Sequence, residues 1–429
     1  MKAPNAILTA NACQAAAEPA PLRLRWVMIG FAFFATIINY LDRQVLSVVA
    51  ASADFKTEVP LTEETYGYVT AAFMLAYAVS NGLSGPFIDR VGTRIGYACC
   101  MVWWSVAGIL HAFARGALSL GCFRLLLGVG EAGNWPAAAK LVSEWFPAKE
   151  RALASGIFNS GASIGAVLSP IIIVWMVGHW GWRSAFGAMG VLGLGWTLAW
   201  WLTYRLPPNA EAAAKARPVP AGQLLRTRFV AFFTLSKVFM DPVWYFFVFW
   251  FPKYLSEVHH FSLKEIGWKA WIPYFTAALG NLAAGLLTGW LMRRGTNPSV
   301  ARKASTSVFA LLMLSSIPAI LTSDSWWSIA LVSVTTFGYT GYTANTLAFP
   351  ADVFPKNAVA SIWGLASMGS GFGGMIFMAL SGWLIERYGY LPVFIGYGIM
   401  PLIALAIVLF LVGPLRPDPR FQTPATTAT

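Results

Sequence analysis

The sequence contains long apolar runs of about 20 residues or more, which follow one another with mostly short polar connections. Backbone groups in lipid must be hydrogen-bonded inside the protein, and these runs are too long and uniformly apolar to be barrel strands. We therefore predict an all-α membrane protein with 12 transmembrane helices. The predicted spans are 24–50, 62–86, 94–113, 117–142, 151–177, 184–206, 229–254, 264–292, 300–322, 325–349, 358–385 and 389–413.

Composition supports this class, because 57% of the 429 residues are hydrophobic and only 11% are charged. Soluble domains carry about 25% charged residues. The net charge of +12 is spread along alternate connections, so no compact basic domain is available for nucleic acid. The four cysteines and four histidines show no metal-site spacing. We expect the lipid bilayer as partner, no nucleic acid, no metal, no cofactor and no enzyme activity.

The distribution of Lys and Arg predicts the orientation. Twenty of the 30 fall on the side of the membrane where the N-terminus lies and seven on the opposite side, while Arg43, Arg124 and Lys237 lie within helices. Because cytoplasmic connections carry the positive excess, both termini are predicted to be cytoplasmic, in a bacterial inner membrane. No apolar signal-peptide core precedes residue 23, so we interpret residues 1–22 as a cytoplasmic tail.

An internal repeat divides the chain. The stretch EWFPAKERALASGIFNSGASIGA from Glu144 matches DVFPKNAVASIWGLASMGSGFGG from Asp352, 208 residues later, and the longest polar connection lies between them. Their small residues allow close helix approach. We predict two six-helix halves with a substrate site between them near the midplane. The predicted units are tail 1–22, bundle 23–206, linker 207–228, bundle 229–414 and tail 415–429.

The repeat also distinguishes glycines that both halves share from charges that only the first half carries. At the same offset Gly130 aligns with Gly338, Gly133 with Gly341, Arg124 with Val332 and Glu131 with Tyr339. Arg124 and Glu131 lie two helical turns apart, about 10 Å along one face. Each charge would cost about 3 kcal/mol in a lipid-facing helix, so this face should line a wet cavity. Asp42 and Arg43 on the first predicted helix would carry the same cost if that helix faced lipid.

The connection after the second predicted helix reads GPFIDRVGTR and resembles the G-x-x-x-D-R-x-G-x-R signature of the major facilitator superfamily. The resemblance implies a two-bundle transporter fold and a gate. The gate residues are Gly85, Asp89, Arg90, Gly92 and Arg94. We expect Asp89, at a helix end, to pair with an Arg or the helix dipole of a neighbour when that side is closed.

Further segments resemble the anion:cation symporter family of this superfamily. They are NYLDRQVLS, RLLLGVGEAGNWPAA, FNSGASIGA, DPVWYFFVFWFPKYL and GYTANTLAFPADVFP, and the fourth is most like bacterial hexuronate transporters. The resemblance implies import of a sugar acid, a hexuronate, with protons by alternating access. Galactonate, glucarate or an aromatic acid are the alternative substrates, and a membrane sensor is the disfavoured alternative class. We expect a monomer.

Site roles follow from chemistry and resemblance together. A guanidinium suits a substrate carboxylate; the family's matching helix-one arginine favours Arg43 as anchor, with Arg124 as second anchor or partner of Asp42. Asp42 and Glu131 are the predicted proton-coupling residues, with a static salt bridge as the alternative. Further predicted substrate-binding residues are Tyr40, Tyr77, Asn159, Trp244, Tyr245, Tyr342 and Asn345; for each aromatic, packing is the alternative. No role is assigned to Lys237 and Asp241.

Overall fold

The computed structural model describes residues 22–147, 150–205, 221–354 and 356–416. The N-terminal set of helices comprises α1 (Leu22–Val49), α2 (Ala53–Glu58), α3 (Glu63–Val91), α4 (Thr93–His111), α5 (Ala117–Glu131), α6 (Asn134–Trp145), α7 (Arg151–Trp180) and α8 (Trp182–Thr203). A short helix, α9 (Ala221–Leu225), lies in the predicted linker. Nearly all of both predicted tails, residue 206 of the first predicted bundle and residues 207–220 of that linker lie outside the described residues.

The C-terminal set begins with α10 (Arg228–Val258). It continues with α11 (Leu263–Lys269), α12 (Ile272–Arg293), α13 (Pro298–Leu312), a 3-10 turn (Met313–Ser315), α14 (Ser316–Leu321), α15 (Ser325–Leu347), α16 (Phe349–Val353), α17 (Lys356–Tyr388), α18 (Leu391–Ala406) and a π-helical end (Ile407–Leu411). The all-helical prediction holds throughout the described part of the chain.

Ten stretches of these helices are long and apolar enough to cross a bilayer. They are Leu24–Val49, Glu63–Val91, Thr93–His111, Leu153–Trp180, Trp182–Thr203, Arg228–Val258, Leu263–Arg293, Pro298–Leu321, Ser361–Tyr388 and Leu391–Leu411. The two predicted spans that do not qualify are 117–142 and 325–349. The first is divided into two short helices, whereas Ser325–Leu347 is a single helix of 23 residues that is less apolar than the ten qualifying stretches.

A break before a proline divides the first of these stretches and ends the helix of the second. The helix pair α5 and α6 is separated by Ala132 and Gly133 ahead of Pro136, and α15 ends one residue before α16, which contains Pro350 near its start. Proline lacks an N–H donor, and its ring clashes with the carbonyl four residues earlier. The break after α5 places Glu131, the last residue of α5, midway along the segment 117–145.

The helix boundaries repeat at the offset found in the sequence. Segment 117–145 corresponds to 325–353 at both ends, 208 residues apart. The glycines of the repeat make matching contacts: an added Cβ would lie 2.6 Å from the Phe33 backbone oxygen at Gly161, and 2.6 Å from Thr234 Cγ2 at Gly369. Helix α7 thus packs closely on α1, as α17 does on α10. The small residues permit the predicted close approach.

Candidate functional site

A buried ion pair joins α1 to the break in α5. Arg43 Nε and Nη2 both donate to Glu131 Oε2, at 3.0 Å and 2.9 Å, and Nη2 also donates to Asn39 Oδ1 at 3.2 Å. Arg43 is 3% exposed, and Glu131 is fully buried. The second carboxylate oxygen, Glu131 Oε1, has no hydrogen-bond partner among the described residues. The pair can therefore bind a further donor, or exchange Glu131 for another carboxylate.

Aromatic rings surround the Arg43 guanidinium. Its central carbon lies 4.9 Å from the ring centre of Tyr77, 5.3 Å from that of Tyr40 and 5.3 Å from that of Phe73. Such cation–π contacts strengthen as water is excluded. The guanidinium therefore lies among rings of α1 and α3, while its Nε and Nη2 donate to the Glu131 carboxylate.

The other two predicted charges lie nearby but form no second ion pair. Arg124 is 1% exposed, and its Nη1 donates to the Arg43 backbone oxygen at 3.4 Å, while its Nε and Nη2 have no partner in the described part of the chain. Asp42 lies within electrostatic range of Arg124, beside Gly108 of α4. Of the two buried arginines, Arg43 is thus the one whose guanidinium is bound by a carboxylate, and Asp42 forms no ion pair among the described residues.

The C-terminal set contributes an aromatic face. Trp244 of α10 stacks on Tyr339 of α15, with centroids 5.3 Å apart and an interplanar angle of 11°. Tyr339 donates to Asp241 Oδ1 at 3.3 Å, and Lys237 Nζ lies 3.4 Å from the same oxygen. Tyr245 shares a 2.8 Å hydrogen bond with Ser370 of α17.

The N-terminal and C-terminal features meet in one cluster. Tyr40 of α1 adjoins Trp244, and Arg43 interacts electrostatically with Tyr245. We call the residues around this contact the central cluster: Arg43, Glu131, Arg124, Asp42, Tyr40, Tyr77, Lys237, Asp241, Trp244, Tyr245 and Tyr339. It is the one place where the predicted charged residues and most of the predicted aromatic residues come together within the described residues.

The cluster is asymmetric in a way that the repeat makes visible. Gly165 packs on Ile37 as Gly373 packs on Val238, so Ile37 and Val238 occupy matching places. Six residues further along each helix are Arg43 and Trp244. Since Glu131 corresponds to Tyr339, the ion pair of one set matches the aromatic stack of the other. At these matching places the N-terminal set presents the Arg43–Glu131 ion pair, and the C-terminal set presents the stacked rings of Trp244 and Tyr339.

Comparisons with known proteins identify the family. The model of the Major Facilitator Superfamily matches residues 32–360, with a second match over 300–428. The chain belongs to the Major Facilitator Superfamily. It is 32% identical to the hexuronate transporter of Escherichia coli (strain K12) over 404 residues, which cover 90% of this chain and 93% of that protein. The superfamily and these relatives are transporters, which confirms the predictions of family, multi-pass membrane protein and no enzyme activity.

One further relative and one solved structure are also similar to this chain. The chain is 33% identical to the galacturonate transporter of Dickeya chrysanthemi over 312 residues, covering 68% of this chain and 89% of that one. The crystal structure of a D-xylose-proton symporter matches with a TM-score of 0.74 at 14% identity, over 91% of this chain and 98% of the symporter. The similarity to the symporter structure shows that the two chains share the same fold.

Three predicted substrate residues lie in different surroundings. Asn345 is buried between α12, α13 and α15, where it accepts from Thr288 at 2.6 Å and donates to Ser305 at 2.8 Å. Tyr342 is fully buried near Ser236 and Asp241. Asn159 is half-buried on α7. The amide of Asn345 already has partners from two neighbouring helices, whereas Tyr342 lies at the edge of the central cluster.

The superfamily signature lies at the end of α3 remote from Glu63. Asp89 pairs with Lys140 of α6 at 3.0 Å, where an Arg or helix dipole was the expected partner. Gly92 has a φ of 84°, a left-handed conformation that glycine adopts without strain. Arg94 donates to the Trp201 backbone oxygen at 2.9 Å, with its guanidinium 4.6 Å from the indole centre. Gly85 and Arg90 are on the last turns of α3.

The opposite end of the molecule, where α1 ends and α3 begins, is closed by ion pairs between the two sets. Lys253 of α10 contacts Glu63 of α3 and also Glu257, and Arg387 donates to Glu64 at 2.9 Å. Across the described part of the chain, every salt bridge between the two sets lies at this closed end.

Backbone contacts reinforce the closed end. Glu386 of α17 accepts from the backbone N–H groups of Glu63 at 2.6 Å and Glu64 at 3.3 Å, so it caps the positive N-terminus of α3 from the other set. Tyr66 donates to the Phe249 backbone oxygen at 2.6 Å. These contacts must break if this end of the molecule opens.

Replacing Lys253 by methionine should therefore open the closed end. The change leaves Glu63 and Glu257 facing each other without the cation between them, and like charges at this distance repel. Thr57 and Tyr388 are exposed and belong to different sets. Spin labels at these two positions should show a longer mean distance in Lys253→Met than in wild type, measured by double electron–electron resonance.

Lys269→Met is the matched control, because Lys269 pairs with Glu265 within the C-terminal set at 3.5 Å. The control should leave the label distance unchanged. An unchanged distance in Lys253→Met would show that the ion pairs do not hold this end closed.

Sequence reasoning missed several residues of this architecture. Asn39 accepts a hydrogen bond from Arg43, and its spacing of four residues before Arg43 on one helix was an available signal. Tyr339 was visible as the counterpart of Glu131. The closed-end residues Glu63, Lys253 and Glu386 gave no signal, because their partners come from distant parts of the chain.

Proposed function

We propose that the protein is a proton-coupled symporter that imports a sugar acid, a hexuronate such as glucuronate or galacturonate, across a bacterial inner membrane by alternating access. The observation that carries the proposal is the Arg43–Glu131 pair, whose guanidinium is engaged by a carboxylate that a substrate carboxylate can replace. The stacked Trp244 and Tyr339 face the same cluster and suit a sugar ring.

Charge neutrality supports the coupling to protons. Three cations and three carboxylates are buried in the cluster: Arg43, Arg124, Lys237, Asp42, Glu131 and Asp241. Their formal charges sum to zero. A monoanionic substrate leaves this region with one uncompensated negative charge, which is costly away from water. Uptake of one proton by Glu131, displaced from Arg43, or by Asp42 restores neutrality. No cofactor is required beyond the transported proton.

Alternating access is supported by the location of the ion pairs between the two sets. We propose two six-helix halves, 23–206 and 229–414, in which the broken segments 117–145 and 325–353 complete the twelve crossings. With both termini cytoplasmic, the closed end faces outward, and the Asp89 signature lies at the cytoplasmic gate. We propose that the cluster is reached from the cytoplasm through this gate, and from the outside once Lys253 separates from Glu63. Each monomer forms a complete pathway.

Transport assays distinguish this function from its alternatives. Proteoliposomes with an acidic exterior should accumulate labelled glucuronate or galacturonate, and a protonophore should abolish the accumulation. Uptake that ignores the gradient would contradict symport. Galactonate, glucarate and benzoate in the same assay test the alternative substrates. Relatives named for hexuronate and galacturonate, at 32% and 33% identity, support hexuronates as the first choice.

A further inference from the structure

A buried ion pair within α10 counts in the charge balance described above but takes no direct part in the exchange at Arg43. Lys237 and Asp241 are one helical turn apart, with Nζ and Oδ1 separated by 3.4 Å. Lys237 is 2% exposed and Asp241 8%. Buried pairs contribute little net stability, because desolvation offsets their attraction. The pair is therefore a candidate for recognition rather than for holding the helix together.

The pair lies beside the aromatic face. Tyr339, whose ring stacks on Trp244, donates to the same Oδ1 of Asp241 that contacts Lys237. Neither contact uses Oδ2, and 12% of the Asp241 side chain is exposed. Tyr245 interacts electrostatically with both Asp241 and Arg43, so the pair and the anchor border the same space. Asp241 can accept hydrogen bonds from a molecule whose ring lies on Trp244.

The chemistry of a sugar acid matches the two ends of this space. Its carboxylate needs a cation, which Arg43 provides, while its hydroxyls need acceptors, which ionised carboxylates provide strongly. An unpaired acceptor carboxylate would repel the anionic substrate, and Lys237 cancels that repulsion. Lys237 is itself occupied by Asp241, so it offers little to a second carboxylate.

We propose that Asp241 recognises the hydroxyl end of the substrate and that Lys237 is its counter-ion. The pair thereby selects sugar monocarboxylates over dicarboxylates such as glucarate, whose second carboxylate would meet Asp241. Specificity of this kind is built from a repulsive contact as well as attractive ones. The inference rests on the proposed function, because it assumes that a sugar acid binds between Arg43 and Trp244.

Binding to purified Asp241→Asn tests the inference. Wild-type protein should bind galacturonate or glucuronate more tightly than glucarate in calorimetry. The variant should lose at least about tenfold in hexuronate affinity, which corresponds to about 1.4 kcal/mol. Its freed Lys237 should raise glucarate affinity, so the ratio of the two dissociation constants should change by about 100-fold.

Controls separate the possible failures. Glu265→Gln removes one charge from another i, i+4 Lys–Glu pair, Glu265–Lys269, and should leave both affinities unchanged. If Asp241→Asn does not fold, the uncharged double variant Lys237→Met/Asp241→Asn should lose hexuronate affinity without gaining glucarate affinity. A wild type that binds no sugar acid overturns the proposed function. A wild type that binds hexuronate, with an unchanged ratio in the variants, overturns the role of the pair alone.

Discussion

Replacing Arg43 by alanine should reduce hexuronate affinity by about 100-fold or more. Hydrogen bonds between charged groups contribute about 1.5–3 kcal/mol each, and a guanidinium can make two of them to one carboxylate. Losing both exceeds 2.8 kcal/mol, a factor of about 100. Calorimetry on the purified variant measures the loss directly, with uptake into proteoliposomes as a second measurement.

The variant also leaves Glu131 buried without its cation, which costs about 3–5 kcal/mol when one partner of a buried pair is removed. Thermal unfolding should therefore show a lower melting temperature for Arg43→Ala. The double variant Arg43→Ala/Glu131→Gln removes the stranded charge and should regain melting temperature without regaining affinity. Recovery of binding in the double variant, or unchanged affinity in Arg43→Ala, would exclude Arg43 as the anchor.

Arg183→Ala is a matched control for removing an arginine from an ion pair. Arg183 pairs with Glu58 at 2.7 Å, the two side chains are 44% and 48% exposed, and Arg183 also donates to the backbone oxygens of Ala112 and Ala114. Exposed pairs contribute about 0–1 kcal/mol, so this variant should keep its affinity and lose less melting temperature than Arg43→Ala.

Local chemistry made much of the fold predictable. Runs of apolar residues gave the helices, and the glycines at 161, 165, 369 and 373 gave the close crossings that the structure contains. The breaks ahead of Pro136 and Pro350 were not predictable from proline alone, because other prolines lie inside helices that continue through them: Pro86, Pro170, Pro242, Pro252 and Pro401.

The pairing within the site was not predictable in the same way. Asp42 and Arg43 are neighbours on α1 and point about 100° apart. Which of them meets Glu131 depends on the rotation of α1, which the packing of Gly161 and Gly165 of α7 against it sets. The sequence led to Asp42 with Arg124 as one possible pair, whereas the structure joins Arg43 to Glu131. A rotation of α1 by about 100°, the angle between successive residues of a helix, would exchange one pairing for the other.

The second large effect is expected for Glu131→Gln, which should abolish accumulation driven by a proton gradient while preserving exchange. Glutamine keeps the size of the side chain and can still accept from Arg43, but it carries no charge. The cluster then starts with one net positive charge, and an anionic substrate neutralises it without a proton. Transport therefore continues as exchange of substrate across the membrane, and the gradient no longer contributes energy.

Two measurements on the same proteoliposomes separate these properties. Counterflow against unlabelled substrate should proceed in Glu131→Gln at a rate similar to wild type, while uptake driven by an imposed gradient falls to the background of empty liposomes. Substrate affinity, which in the wild type should rise as pH falls because proton and substrate bind together, should become nearly independent of pH in the variant. Asp42→Asn provides the comparison on the adjacent residue.

The two carboxylates then give distinct outcomes. If Glu131 carries the proton, Glu131→Gln loses the pH dependence and Asp42→Asn retains it. The reverse result would assign the proton to Asp42, which lies near Arg124 without a hydrogen bond to it. Normal accumulation in both variants would contradict proton coupling through this cluster. Because Glu131 directly occupies Arg43, only the first outcome makes substrate binding and proton uptake a single exchange at one guanidinium.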